Sequence, residues 1–129
     1  MSVRQRRLVR IGEAFEIKGR MLEARMAGLA VEIREIDAAI SGIGLAMESP
    51  IVHVLSLHVP AMNRIVDLNR KSIALNARFA ALRGEAIDTE ARGRFAEKRA
   101  AALVSDEFRK NSERETLETV TVISASSLR

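Results

Sequence analysis

Residues 8–47, LVRIGEAFEIKGRMLEARMAGLAVEIREIDAAISGIGLAM, decide the fold, because an apolar residue recurs in this stretch at every seventh position. The recurring residues are Leu8, Phe15, Leu22, Leu29, Ile36 and Ile43. Four residues after each of them stand Gly12, Gly19, Met26, Ile33, Ile40 and Met47. Two such positions, sustained over six heptads, predict a long helix that buries one narrow seam against a partner helix.

A second stretch repeats this pattern and supplies the partner helix. Its seam residues are Leu68, Leu75, Leu82, Thr89, Ala96 and Leu103, with companions Ile65, Ser72, Phe79, Ala86, Gly93 and Ala100. Leu117 shares the same phase, but the other seam positions beyond Leu103 are taken by Glu107, Lys110 and Arg114, so the apolar stripe fades there.

The two prolines, Pro50 and Pro60, bracket a segment without charged side chains between the two patterns. Ser49 followed by Pro50 is typical of the start of a helix, which favours a short helix or irregular cap here over an extended apolar loop. We expect part of this apolar connector to be buried on the hairpin or on a partner.

The sequence therefore predicts an all-α fold, a long antiparallel two-helix coiled-coil hairpin with a short apolar connector. Its parts are helix 1 at about 2–47, the connector at about 48–60, helix 2 at about 61–118 and a flexible tail at 119–129. Ser2 and Gln5 form a capping-box pattern at the start of helix 1. In the predicted register Leu29 faces Phe79 and Phe15 faces Gly93, and glycines and alanines at seam positions 12, 19, 93, 96 and 100 allow close packing.

The tail changes character after residue 118. Thr119–Ile123 is rich in β-branched residues, and the serines that follow are typical of a flexible terminus. We interpret it as a frayed tail, with a segment that becomes ordered on a partner as the alternative.

Composition narrows the functional classes. The 129 residues include no Cys, no Trp, no Tyr and only two His. Disulfides and thiolate chemistry are thereby excluded, and His53 and His58 stand five apart, which does not place two ligands on one helix face. We expect no catalytic residue, no cofactor site and no metal site, and hence a protein that is not an enzyme.

The location of the protein is also a prediction. No apolar stretch is long enough to span a membrane, and the start of the chain is rich in Arg and lacks the apolar core of a signal peptide. These features favour a cytoplasmic protein, for which peripheral membrane association and the oligomeric state stay open.

Charge is distributed unevenly along the chain. Residues 1–25 hold seven Lys or Arg against three Glu, a net charge of +4, whereas residues 26–60 hold one Arg against four acidic residues, a net charge of −3. The antiparallel register brings a second group of cations near the first. The candidate cationic cluster comprises Arg4, Arg6, Arg7, Arg10, Arg92, Arg94, Lys98 and Arg99.

Three interpretations of this cluster are open: a solvated face with ion pairs, a nucleic-acid surface, and a surface for an acidic protein partner. The chain has no recognition motif and few aromatic residues for base stacking, so we expect no specific nucleic acid. Arg and aromatic side chains are favoured at protein interfaces. Phe95 and Phe108 lie off the seam beside these cations, and Val54 and Leu57 in the connector are further candidate contacts.

The N-terminal run Arg4-Gln-Arg-Arg-Leu-Val-Arg-Ile11, the run Ala91-Arg-Gly-Arg-Phe-Ala-Glu-Lys-Arg-Ala100 and the following Ser112-Glu-Arg-Glu115 carry a family resemblance. With the heptad hairpin, they resemble FliJ/YscO-type proteins of flagellar and type III secretion export. The resemblance implies a non-enzymatic stalk that inserts into a hexameric export ATPase and stimulates it, with contacts to export chaperones and the export gate.

Two other functions are compatible with the same residues. One is an export chaperone or adaptor whose apolar connector or tail captures a secreted subunit. The other is a self-associating structural coiled coil.

Overall fold

A computed structural model of the protein describes residues 2–127, which contain three α-helices. α1 spans Val3–Met47, α2 spans Pro50–Val54 and α3 spans His58–Ser127. The two long helices pack against each other as an antiparallel coiled-coil hairpin, and the short α2 lies in the connector. No strand occurs among residues 2–127, so the predicted fold class is confirmed.

The chain divides into two compact units. A terminal unit contains Met1–Ile17 and Thr89–Arg129, and a connector unit contains Lys18–Asp88. Both long helices contribute to each unit.

The start of α1 is closed by the predicted capping box. The backbone N–H of Ser2 donates to Gln5 Oε1 at 2.9 Å, and the backbone N–H of Gln5 donates to Ser2 Oγ at 3.1 Å. Both bonds satisfy donors that have no partner within the helix. Gln5 itself is buried, because it occupies the seam position seven residues before Gly12.

The connector unit holds the apolar core of the hairpin. Leu29, Ile36, Leu68 and Leu75 are buried in one cluster, and the half-buried side chains packed against it are Ile33, Ile40, Ile43, Phe79 and Leu82. All of these are predicted seam residues. The heptad pattern thus identified the core.

The terminal unit is packed more tightly, from small residues. Ala96 and Ala100 are buried, and a Cβ built on Gly93 would lie 3.4 Å from Phe15 Cβ. This confirms the predicted Phe15–Gly93 contact. A Cβ on Gly12 would lie 3.6 Å from Glu97 Cγ.

The close packing predicted at Gly19 is not found. A Cβ added to Gly19 meets no described atom within 4 Å beyond its own helical turn. The heptad repeat shows that residue 19 belongs to the seam. It does not show how far the backbone there lies from the facing helix.

Of the short helix or irregular cap predicted for the connector, the structure shows the short helix. Ser49 occupies the N-cap position in an extended conformation and Pro50 begins α2, although the Ser49 side chain makes no capping hydrogen bond. Ser56 adopts a left-handed φ of 53°, which turns the chain into α3. The rings of His53 and His58 stack with their centroids 5.7 Å apart.

Within the connector, residues 48–60, only Ser49 and Val52 are half-buried, so Val52 is the one apolar residue of this segment with any burial. Val54 is 81% exposed, and Leu57 is 45% exposed. Five residues of α2 form little more than one helical turn, which is too short to fold an apolar face back onto α1 and α3.

α3 is longer than predicted at both ends. It begins at His58, three residues before the expected start, and continues to Ser127 through most of the segment expected to be a flexible tail; residues 128 and 129 lie outside the described range. Within this segment the hydroxyls of Thr119 and Thr121 donate to the carbonyls of Glu115 and Leu117 at 2.8 Å. β-branched residues cost well below 1 kcal/mol each in a helix, which is too little to end one reliably.

Candidate functional site: a two-sided terminal unit

The candidate cations all lie in the terminal unit and are all exposed. Arg6, Arg7 and Arg10 line a shallow depression with Val3 on α1. Arg92 lines a second depression, which both helices form. Exposed guanidinium groups keep most of their hydration, so contact with them costs a partner little desolvation.

Exposed side chains next to the seam lie on one or the other of its two sides, and the heptad position of a residue determines which. A residue directly before Gly12 or Gly93 lies on one side of the seam, and a residue directly after Leu8 or Ala96 lies on the other. Observed contacts match this assignment. Ile11 and Arg92 line the same depression on the first side, and Glu97 approaches Gly12 on the second.

The first side, which we call the groove flank, is basic and apolar. It presents Arg4, Arg7, Ile11, Arg92, Phe95 and Arg99. Lys98 stands at its outer margin. Within residues 3–17 and 89–105, no Asp or Glu occupies a heptad position on this side.

The second side, which we call the acidic flank, carries the carboxylates of the unit. It presents Glu13, Glu16, Glu90 and Glu97. Arg94 lies on this side and forms a salt bridge with Glu90 one helical turn away. Arg6 also lies on this side.

The predicted cluster is therefore not one patch. Arg6, Arg7 and Arg10 line one depression on α1, Arg92 lines the apolar depression between α1 and α3, and Arg94 pairs with Glu90 on the acidic flank. Sequence reasoning grouped them by their position along the helices and did not assign them to sides. The heptad position of each arginine could have shown which side of the seam it occupies.

The groove flank contains an apolar depression of about 430 Å³ between α1 and α3. Ala96 forms its floor with Phe15 and Leu8, and Ile11 and Phe95 form its walls. The depression exists because Ala96 and Gly93 are small and leave space beside the seam. Phe95 is 68% exposed, although a Phe side chain gains most from burial.

The corresponding flank of the connector unit is different. There Lys18 and Glu85 occupy the equivalent heptad positions and form a salt bridge of 3.4 Å across the seam. Arg25, Glu32 and Arg78 line a depression of mixed charge with Leu29. The depression of the terminal unit is lined by apolar residues and a single charged residue, Arg92, whereas that of the connector unit is lined by charges of both signs.

The other predicted contact residues lie apart from this depression. Phe108 is 74% exposed on α3, beyond the end of the seam at Leu103. Its heptad position places it on the acidic flank. Val54 and Leu57 belong to the connector unit.

Residues 2–127 were also compared with the requirements of a metal site and of a membrane span, and they meet neither. No group of three or more His, Asp or Glu side chains there could hold a metal ion. None of the described helices is sufficiently long and apolar to cross a lipid bilayer.

Comparison with known proteins finds no matching family model, no matching curated protein and no matching solved structure.

Proposed function

We propose that this chain is a non-enzymatic, cytoplasmic coiled-coil component of a flagellar or type III protein export apparatus. It acts as a central stalk that binds and stimulates a hexameric export ATPase and also contacts export chaperones. The proposal rests on the resemblance of its helical runs to FliJ/YscO-type proteins and on the terminal unit of the hairpin.

The proposal is supported chiefly by the part of α3 that continues beyond the seam. The last paired seam residue of α3 is Leu103, yet the helix continues to Ser127 with every residue of 104–127 exposed except the half-buried Ser112. A single helix of this length gains no stability from packing along it. Such a segment, next to exposed arginines, is suited to insertion into a partner that surrounds it.

The experiment compares ATP turnover by the cognate export ATPase with and without the chain. The test variant combines Arg4→Glu, Arg6→Glu, Arg7→Glu and Arg10→Glu, all at exposed positions near the start of α1. Glutamates are favourable near a helix N-terminus, so the variant is expected to fold. We expect the wild-type chain to raise turnover and the variant to have lost that effect.

A matched control carries the same number of charge reversals in the connector unit. It combines Arg64→Glu, Arg70→Glu, Arg78→Glu and Arg83→Glu, which are also exposed. If this control loses stimulation as completely as the test variant, total charge and not the terminal unit governs the effect. If the wild-type chain leaves turnover unchanged, the stalk proposal is wrong.

A second candidate function, an export chaperone or adaptor, is favoured by the connector. Ile51, Val54 and Val59 are each more than 60% exposed, in a segment that carries no charged side chain. Exposed apolar clusters of this kind are typical of interaction sites.

This alternative is tested with purified secreted subunits of the same export system. The double change Val54→Asp and Leu57→Asp should abolish their binding without affecting ATPase turnover. The control, Ile73→Asp with Ile87→Asp, alters apolar residues that are as exposed but lie outside the connector. Equal binding by all three proteins would rule out the connector as a client site.

A further inference from the structure

In the connector unit α1 carries a second stripe, which we call the outer stripe, on the face that points away from α3. Its residues stand one before and two after the seam residues Leu22, Leu29 and Ile36, which turns them to the opposite side of the helix. They are Met21, Ala24, Gly28, Val31, Glu35 and Ala38. All six are exposed, and all but Glu35 are apolar. Their spacing alternates between three and four residues, which is typical of a helix that packs against another helix along this face.

We propose that the outer stripe is the interface of an antiparallel homodimer, in which the outer stripes of two copies pack against each other. The stripe is complementary to its own reverse. When Gly28 faces Val31 of the second copy, Met21 faces Ala38 of that copy. Each large apolar side chain thus meets a small residue, and two-fold symmetry makes each contact occur twice. The inference goes beyond the proposed function, since it concerns the connector unit and a different partner.

The space that the second copy would fill is present at Gly28. A Cβ added there meets no described atom within 4 Å beyond its own helical turn. The side chain of Val31, which is 47% exposed, can therefore approach the Gly28 backbone of the second copy closely. A glycine facing a large apolar residue is also how α1 and α3 meet at Phe15 and Gly93.

Charge complementarity fixes the register of the two copies. Arg25 and Glu32 are exposed beside the outer stripe and line the same depression as Gly28. In the proposed register each Arg25 is nearest to Glu32 of the second copy, so opposite charges meet at two equivalent places. A shift by one heptad brings the two Glu32 side chains together in one direction and the two Arg25 side chains together in the other. Both shifts are disfavoured by like charges.

The orientation of the two copies follows from the one charged residue of the stripe. In a parallel dimer each residue faces itself, so Glu35 would meet Glu35 and Met21 would meet Met21. In the antiparallel dimer Glu35 faces Ala24 of the second copy, next to Arg25 of that copy. The antiparallel arrangement therefore replaces a contact between two carboxylates with a contact between opposite charges.

The dimer adds to a hairpin that is complete by itself. The buried cluster of Leu29, Ile36, Leu68 and Leu75 forms within one chain, so loss of the second copy leaves the core closed. Antiparallel pairing directs the first residues of the two α1 helices away from each other. Each copy in a dimer can therefore still enter an ATPase ring of its own.

Cysteine cross-linking tests the register, because the chain has no Cys of its own. Full-length Met21→Cys and Ala38→Cys are mixed, oxidised mildly and analysed by mass spectrometry, with Ile73→Cys on α3 as the measure of random collision. We expect the mixed disulfide well above this background and neither variant cross-linked to itself, since like positions lie about 25 Å apart along the helices. Self-linked Met21→Cys above the background, or a mixed disulfide no more abundant than the background, would overturn the proposal.

The mass in solution tests the interface without any cross-link. Sedimentation equilibrium at micromolar concentration should give the wild-type chain twice its mass of 14.2 kDa. Val31→Glu should halve the observed mass, whereas Ile73→Glu, at a 70% exposed position of α3, should leave it unchanged. Circular dichroism should show wild-type helicity in both variants.

Three results of the mass measurement would overturn the proposal. They are a monomeric wild-type chain, which leaves the outer stripe to a different partner, a dimer that survives Val31→Glu, and a dimer that Ile73→Glu dissociates. No ATPase is present in either assay. Failure of the dimer is therefore distinguishable from failure of the stalk in the turnover experiment.

Discussion

Gly93 of α3 and Phe15 of α1 are in direct contact, since a Cβ built on Gly93 would lie 3.4 Å from Phe15 Cβ. This contact fixes the register of the terminal unit and sets how closely the helices approach there. Any side chain beyond a methyl group at position 93 would have to displace the Phe15 side chain or separate the helices.

Gly93→Leu should therefore destabilise the hairpin. We expect the free energy of unfolding to fall by about 1–3 kcal/mol, the usual cost of overpacking a tight contact. Gly28→Leu is the control, since a Cβ at Gly28 meets no described atom within 4 Å beyond its own helical turn, and replacing Gly with Leu there improves helix propensity. Urea denaturation measures both variants, and equal stability of the two would contradict the close contact.

Leu29→Asp tests the core of the connector unit. Leu29 is 7% exposed within the buried cluster, so a carboxylate there has no hydrogen-bond partner and costs several kcal/mol. We expect most of the helical circular dichroism signal to be lost at 25 °C. Val31→Asp, two residues away at a 47% exposed position, should retain it.

The heptad repeat was sufficient to predict this core. All twelve seam positions predicted for α1, from Leu8 to Met47, are buried or half-buried, and the first residue beyond the paired seam of α3 is exposed. The reason is physical: the hairpin has one seam, so the side-chain period alone determines which residues meet.

The sequence predicted less about the surfaces that a partner could contact than about the core. Grouping Arg6 with Arg92 followed their proximity in the predicted register, but Arg6 lines a depression on α1 alone, whereas Arg92 lines the apolar depression between the two helices. The apolar depression depends on the small size of Ala96 beside Phe95, which is a property of packing between two helices. The sequence pattern also could not show that Val54 is exposed, because that depends on the length of α2.

Ser2→Ala should weaken the start of α1. The Ser2 hydroxyl accepts the Gln5 backbone N–H, so its removal should cost about 1 kcal/mol, whereas Ser2→Asp supplies another acceptor and should retain the cap. Hydrogen exchange of the Gln5 amide is the direct measurement. Unchanged protection in Ser2→Ala would show that the capping box contributes nothing to helix stability.

Removal of residues 119–129 should not affect the hairpin. The described side chains of this segment are all exposed, so a chain ending at Glu118 should unfold within about 0.5 kcal/mol of the full-length protein. A chain ending at Arg99 is the contrasting variant, because it lacks the buried Ala100 and the half-buried Leu103. A large loss of stability in the chain that ends at Glu118 would mean that residues 119–129 pack against the hairpin.

The stalk that we propose requires one copy of this chain for each hexameric export ATPase. The most direct measurement is a titration of ATP turnover at a fixed ATPase concentration well above the dissociation constant. The proposal predicts that stimulation reaches its plateau at one chain per six ATPase subunits, because a ring has one central hole. A plateau at one chain per subunit, or no stimulation at any ratio, would contradict it.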